Sequence, residues 1–272
     1  MTTPRRFAEA VVVVSGGGGG LGRAVALRFA RDGARLVVLD RDANAAANVA
    51  AEIEAQHGSA LACACDVTDA SACDAAVRAT LERYGRLDVL VNNAGISHRS
   101  AFARTDPAVI RRVIEVNLFG AVNLTHVALP ALLASRGAIV AISSVAGFSP
   151  LIARTGYSAS KHALHGFFGS LRSEVRPQGI DVTLVCPSFI DTAIDRHALG
   201  ADGRAARHAQ VTVGRRMTPE HVAERIVGGV AQRRPLLLIG ATAWQAWWVS
   251  RLAPAWYERI MARRLQGEMQ GD

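Results

Sequence analysis

The sequence predicts a doubly wound α/β fold, one parallel seven-stranded sheet with helices on both faces. Apolar runs of strand length alternate with longer segments of helical period, the pattern of right-handed βαβ units. The first run leads directly into five consecutive glycines and then a helical pattern. No linker rich in proline or glycine divides the 272 residues, so they read as one domain. The strands are expected at 8–14, 35–40, 60–66, 87–91, 137–143, 180–186 and 235–239. Helices are expected over 20–32, 42–57, 69–84, 108–135, 156–177 and 218–232.

Local signals agree with these boundaries. Thr218, Pro219 and Glu220 supply an N-cap, a proline at the first helical position and an acid in the first turn. Gly33 and Gly58 stand where a helix-terminating left-handed residue is expected. Residues 188–214 carry weak periodicity and no expected strand, which fits a lid over a site or a disordered loop. The sheet domain is therefore expected over 1–240 and a tail over 241–272.

Composition excludes several classes. Half the residues are hydrophobic and a fifth are charged, so the chain is neither disordered nor a disulfide scaffold but a soluble globular protein. Thirty arginines and one lysine, Lys161, stand against 23 acids, giving a net charge of +8. The arginines are scattered, without an aromatic-interleaved basic run, so a nucleic-acid partner is not expected. Six of the eight net charges fall in residues 196–272.

Cys63, Cys65, Cys73 and Cys186 lack paired spacing, which fits reduced thiols in a cytoplasmic protein. His162 and His165 lie three apart on an expected helix with no third ligand, so no metal is expected and they read as helix surface or interface. No window is expected to hold the ~18 apolar residues of a membrane span. Arg5 and Arg6 precede an apolar run that enters the glycine loop, so that run reads as a core strand rather than a signal peptide.

The glycine loop, Ser15 to Gly22, sits between the first strand and the first helix. There, backbone N–H groups and the positive end of the helix dipole can face a pyrophosphate, provided side chains are absent. The second strand ends in Asp40, about 20 residues further on. A carboxylate there accepts from both ribose hydroxyls and repels a 2′-phosphate, which favours NAD. Arg41 beside it could pair with that phosphate, so NADP is the alternative. Asp66, ending the third strand, is placed either to bound an adenine pocket or to cap the strand end.

With these residues the chain resembles the short-chain dehydrogenase/reductase family, whose fold is Rossmann-type. The likeness covers about 8–240 and rests on ordered motifs: SGGGGGLG at 15–22, CDVT at 65–68, NNAG at 92–95, Asn117 in VNLFG, ISS at 142–144, YSASK at 157–161 and CPSFIDT at 186–192. It implies cofactor contacts from Ser15, Gly16, Gly20, Leu21 and Gly22, from Asp40, Arg41, Asp66 and Val67, and from Asn93, Ala94 and Gly95. Past the sixth strand it implies Pro187, Ile190 and Thr192 at the nicotinamide, although Ser188 stands where the family usually has glycine.

The chemistry can also be argued from the residues. Tyr157 and Lys161, at i and i+4 on a helix, project from one face with Cβ atoms roughly 5–6 Å apart. A phenol with a pKa of about 10 is a poor base at neutral pH, but a nearby ammonium favours its charged form. Tyr157 can then exchange a proton with a substrate oxygen. Ser144, at the end of the fifth strand, can hydrogen-bond that oxygen, while Ser143 faces the other way. The resemblance implies that Lys161 also holds the nicotinamide ribose and that Asn117 completes a proton relay through water to Lys161. A compact ammonium suits two partners at once better than a planar guanidinium, which explains why the sole lysine is at 161.

All four tryptophans lie at 241–266, where Trp244, Trp247, Trp248, Leu252, Trp256, Tyr257, Ile260 and Leu265 interleave with Arg251, Arg259, Arg263 and Arg264. Pro254 splits this segment into two helices. It suits either a peripheral membrane contact or packing on the lid or a partner subunit.

The expected activity is hydride transfer between NAD and a bulky apolar secondary alcohol or ketone, steroid- or lipid-like, in a cytoplasmic enzyme possessing this tail. The steroid- and retinoid-handling branches of the family share the look of KHALHGFFGSLRSE. A β-ketoacyl thioester reductase and a non-catalytic nucleotide-sensing or scaffold protein are the alternatives. The resemblance implies a homodimer or homotetramer assembled through the helix at 156–177, where Gly166, Gly169 and Ser170 permit close packing.

Overall fold

The computed structural model describes residues 7–192, 194, 197–206, 212 and 214–264. Seven parallel strands form one sheet: β1 Val11–Ser15, β2 Arg35–Asp40, β3 Ser59–Ala64, β4 Val89–Asn92, β5 Ala138–Ile142, β6 Asp181–Pro187 and β7 Leu236–Ile239, in the order β3-β2-β1-β4-β5-β6-β7. Helices α1 Gly20–Arg31, α2 Ala43–Ala55 and α7 Pro219–Ala231 cover one face. On the other lie α3 Ala70–Tyr84, α5 Gly120–Ser135 and α6 Thr155–Val175. Residues along β1 alternate between the two cores, Val12 and Val14 into one, Val11 and Val13 into the other. Burial on both faces is why the strands read as unbroken apolar runs.

The chain reverses direction across the sheet between β1 and β4, which are neighbours. Open sheets of this kind place their crevice beyond the strand ends at that reversal. Gly16 and Ala94 meet there so closely that a Cβ on Gly16 would lie 2.9 Å from the Ala94 Cα. Gly16 is also left-handed, with φ of +61°. In α1, a Cβ on Gly22 would lie 2.0 Å from the Gly16 carbonyl oxygen.

Several boundaries differ from expectation. The first strand starts at Val11, because 8–10 belong to a turn in which the Ala10 N–H donates to the Phe7 carbonyl. The fifth ends at Ile142, so Ser143 and Ser144 lie beyond it. Gly33 is left-handed as expected, but after α2 the left-handed residue is His57. Gly58 serves a different need, since its Cβ would meet the Ile53 side chain at 2.6 Å. The expected helix at 108–135 is α4 Pro107–Ile114, a π-turn at Glu115–Phe119 and α5. By length and composition this run could cross a membrane, contrary to the sequence reading. Instead Leu124, Ala128 and Leu132 are buried in the core.

The Thr218 cap forms as expected, its hydroxyl accepting from the His221 N–H. Within 188–214 the described residues hold three isolated bridges, His98 with Leu199, Ile190 with Met217 and Leu199 with Ala205. The tail divides at Pro254 into α8 Ala241–Leu252 and α9 Pro254–Arg264, and Leu265 lies outside the described residues.

Gly22→Ala is expected to cost about 1–3 kcal/mol, because the blocking atom is backbone and cannot swing away. Gly19→Ala, where an added Cβ meets nothing within 4 Å, is expected to stay within about 0.5 kcal/mol of wild type. Urea unfolding of the two variants checks the contrast.

Candidate active site

A cleft of about 1390 Å³ runs along the C-terminal ends of the strands. At one end is the glycine loop. Gly19, the N-cap of α1, is extended and offers no side-chain cap, so the first N–H groups of α1 are left for another acceptor. Gly16 and Gly20 are left-handed, and a Cβ on Gly19 would enter open space. These are the properties of a cradle for a pyrophosphate. Gly16, Gly20 and Leu21 line the cleft. Gly22 packs behind it against Gly16.

Asp40 also lines the cleft and braces the loop, its Oδ2 accepting from the Gly18 N–H at 2.9 Å and its Oδ1 from the Asp42 N–H at 3.1 Å. Asp66 and Val67 follow β3 at the same end. The Thr68 N–H and hydroxyl donate to Asp66 and hold its carboxyl below the usual range, with help from the Arg41 and Arg112 charges. Exposed Arg41 therefore stands near Asp66 as well as beside Asp40.

Beyond β4, Asn93, Ala94 and Gly95 line the middle of the cleft. Ser15 acts from behind: its hydroxyl accepts from the Asn93 and Ala94 N–H groups and donates to the Val91 carbonyl. Asn93 returns the tie, donating from Nδ2 to the Ser15 and Gly16 carbonyls, so the turns after β1 and β4 form one unit. Pro187, the last residue of β6, and Ile190 and Thr192 beyond it line the cleft. Ser188 is accommodated because residue 240 is glycine, where a Cβ would lie 2.5 Å from the Ser188 Oγ.

Ser144, Tyr157 and Lys161 share one wall of the cleft. Lys161 is buried, its Nζ donating to the Ile142 carbonyl at 2.8 Å and standing 5.7 Å from the centre of the Tyr157 ring. Burial pushes its pKa down to about 8, with Cys186 opposing the shift. Ser144 caps the short turn at 145–147 by accepting from the Ala146 N–H, which leaves its own proton for another acceptor. Asn117 lies behind this wall in the π-turn, a local distortion common at functional sites. Its Oδ1 accepts from the Ile96 N–H and its Nδ2 donates to the Ile96 carbonyl and the Ser160 hydroxyl, tying the turn after β4 to α6.

Sequence reasoning missed a second layer. His165, expected at a surface or interface, is directed inward, with Nε2 3.1 Å from the Ser143 hydroxyl and 3.4 Å from the Cys186 thiol. Ser143 donates in turn to the Lys161 carbonyl. Burial pushes His165 down to about 4, reinforced by surrounding positive groups, and Cys186 up to about 12. His98 is fully buried and its Nε2 accepts from the Gly156 N–H, capping the first turn of α6 from a distant loop. Burial, with Arg154 nearby, pushes His98 down to about 4 and so keeps that acceptor available. The i, i+3 spacing of His162 and His165 carries no sign of which one turns inward.

The tail closes the other end of the cleft. Among the described residues its inner face packs on the segment after β5: Tyr257 and Met261 cluster with Val145, Leu151 and Ile152, and the Tyr257 hydroxyl donates to Ser149. Trp247 stacks edge-on against Phe148 with ring centres 4.9 Å apart, and the Arg251 guanidinium lies 3.2 Å from the Trp247 ring centre. Trp256, Ile260 and Arg264 line the cleft mouth.

A nucleotide cradle at the strand-order reversal, joined to a Ser–Tyr–Lys wall, defines a dinucleotide-dependent oxidoreductase architecture. The family described as short chain dehydrogenase matches residues 10–202, and the chain belongs to the short-chain dehydrogenase/reductase family of oxidoreductases. It is 38% identical over 268 residues to dehydrogenase/reductase SDR family member 7B of Bos taurus, covering 96% of this chain and 82% of that protein. It is 36% identical to the probable oxidoreductase EphD of Mycobacterium tuberculosis, covering 91% of this chain but 44% of that one. A crystal structure of a short-chain dehydrogenase/reductase from Burkholderia phymatum in complex with NAD matches with a TM-score of 0.82 at 26% identity, over 95% of this chain and 96% of that chain.

The buried ammonium has a measurable consequence. The folded chain releases the Lys161 proton near pH 8, whereas the unfolded chain holds it to about 10.5. The cost of burying the charge is fully present below about 8 and fades as pH rises towards 10.5. Relative to Lys161→Met, the wild type should therefore gain about 2 kcal/mol of stability between pH 7 and 9.5, read from urea midpoints.

Proposed function

We propose that this chain is an NAD-dependent dehydrogenase or ketone reductase for a bulky apolar secondary alcohol or ketone, steroid- or lipid-like. The observation that carries the reading is the common cleft, which joins the glycine loop to Ser144, Tyr157 and Lys161. The nicotinamide, when bound, accepts or supplies the hydride.

The chain's own residues supply the rest. Lys161 holds a positive charge beside the Tyr157 ring and favours the phenolate. Tyr157 takes the proton from the alcohol oxygen in oxidation, or returns it to the carbonyl oxygen in reduction. Ser144 donates to the same oxygen and steadies its developing negative charge. Asn117 holds the turn containing Gly95 against α6, which leaves room for a close approach at Lys161. Apolar walls from Val145, Leu151, Val249 and Met261 exclude water and support a bulky apolar substrate.

Asp40 supports NAD, because a carboxylate held at the cleft accepts from a ribose diol and repels a 2′-phosphate. Arg41 and Arg112 beside Asp66 support the second reading, a β-ketoacyl thioester reductase using NADPH. The complete Ser144–Tyr157–Lys161 wall speaks against a non-catalytic sensor. Self-association through α6 is supported by Gly166 and Gly169, where an added Cβ would meet nothing within 4 Å.

Tyr157→Phe should lower turnover of hydrophobic secondary alcohols by about 10²–10⁴-fold while NAD still binds, followed by NADH absorbance and cofactor titration. Unchanged turnover would sink the mechanism. Asp40→Ser should erode the preference for NAD over NADP; an enzyme that already prefers NADPH and reduces β-ketoacyl thioesters would favour the second reading.

A further inference from the structure

With their inner faces packed on the segment after β5, α8 and α9 carry an outward face rich in tryptophan. Trp244, Trp248 and Leu252 follow one another at i, i+4 and i+8 along α8, and they are 53%, 54% and 77% exposed. Trp256 on α9 is 57% exposed. A single exposed apolar side chain is ordinary, but four large ones on adjoining helices form a patch that calls for an occupant.

The charge beside the patch narrows the choice. Residues 241–264 hold four arginines, Arg251, Arg259, Arg263 and Arg264, against one acid, Glu258. All four are exposed. A second copy of the same face would set arginine against arginine. The patch is also continuous with the cleft mouth through Trp256, Ile260 and Arg264, so a rigid protein seated there would obstruct substrate entry. An anionic lipid surface fits both constraints: indole rings favour the headgroup level, guanidinium groups pair with phosphates, and an apolar substrate could pass into the cleft directly.

We propose that the outward face of α8 and α9 docks on an anionic bilayer surface and sets the cleft mouth against it. The delivery role rests on the reading of an apolar substrate; the docking itself does not require turnover and is measured without it.

The full chain is mixed with vesicles of phosphatidylcholine alone or with an equal part of phosphatidylglycerol, then followed by co-sedimentation and tryptophan emission. The expected result is binding to the anionic vesicles with a blue shift, weakened by added salt. A variant carrying Trp244→Ser, Trp248→Ser, Arg259→Glu and Arg263→Glu should bind at least about tenfold more weakly. Its oxidation of a short water-soluble alcohol should match wild type, which shows that the fold is intact. Wild-type protein that stays in the supernatant, or a variant that binds equally well, would overturn the proposal. So would a variant whose only change is a smaller oligomer, because the occupant would then be a second copy. If docking holds but apolar alcohols are not turned over, the substrate reading fails and the docking surface stands.

Discussion

A buried ammonium is the constraint around which the site is arranged. Taking the Lys161 charge out of water is costly, and the visible compensations are the Ile142 carbonyl oxygen and the Tyr157 ring. Each belongs to a different element. Ile142 ends β5, and Tyr157 is one turn back on α6. The ammonium therefore sits where it does only if β5 and α6 hold their relative positions. The second layer does that work: Ser143 and Cys186 meet His165 behind the lysine, while Asn117 and Ser160 join α6 to the turn after β4.

Residues whose role is local were legible in the sequence. The glycine loop, the strand-ending Asp40 and the i, i+4 pair of Tyr157 and Lys161 combine residue type with position in an element, and the structure brings them to one cleft. Residues that act through distant contacts were not. His98 caps a helix that starts more than fifty positions later, and nothing near it announces the Gly156 N–H. The π-turn at Asn117 leaves no mark in the sequence because a single inserted residue hardly disturbs a 3.6-residue period. Helix amphipathicity predicted that the tail has two faces, but not that the inner one packs on the segment after Ser144.

That packing gives the tail a mechanical link to the chemistry. Tyr257 hydrogen-bonds Ser149, five residues beyond Ser144, and Trp247 packs on Phe148, whose ring in turn lies 6.2 Å from His165. Movement of α8 relative to the sheet would be felt first by the turn that carries Ser144. If the tail docks on a surface as proposed, the helices that meet it also hold the turn that carries Ser144.

The arginine excess and the lone lysine then follow different physical requirements. The guanidinium is in general a permanently charged, planar cation. Such a cation suits a fixed electrostatic role, and on the tail it suits phosphate. At position 161 a permanently charged, planar group would be less useful. Burial brings the lysine pKa to about 8, close enough to neutrality for the residue to share in proton movement while remaining mostly charged at pH 7. Its compact head also fits beside Gly95, where an added Cβ would already stand 3.7 Å from the Nζ. The position demands both a tunable charge and a small head, and arginine offers neither.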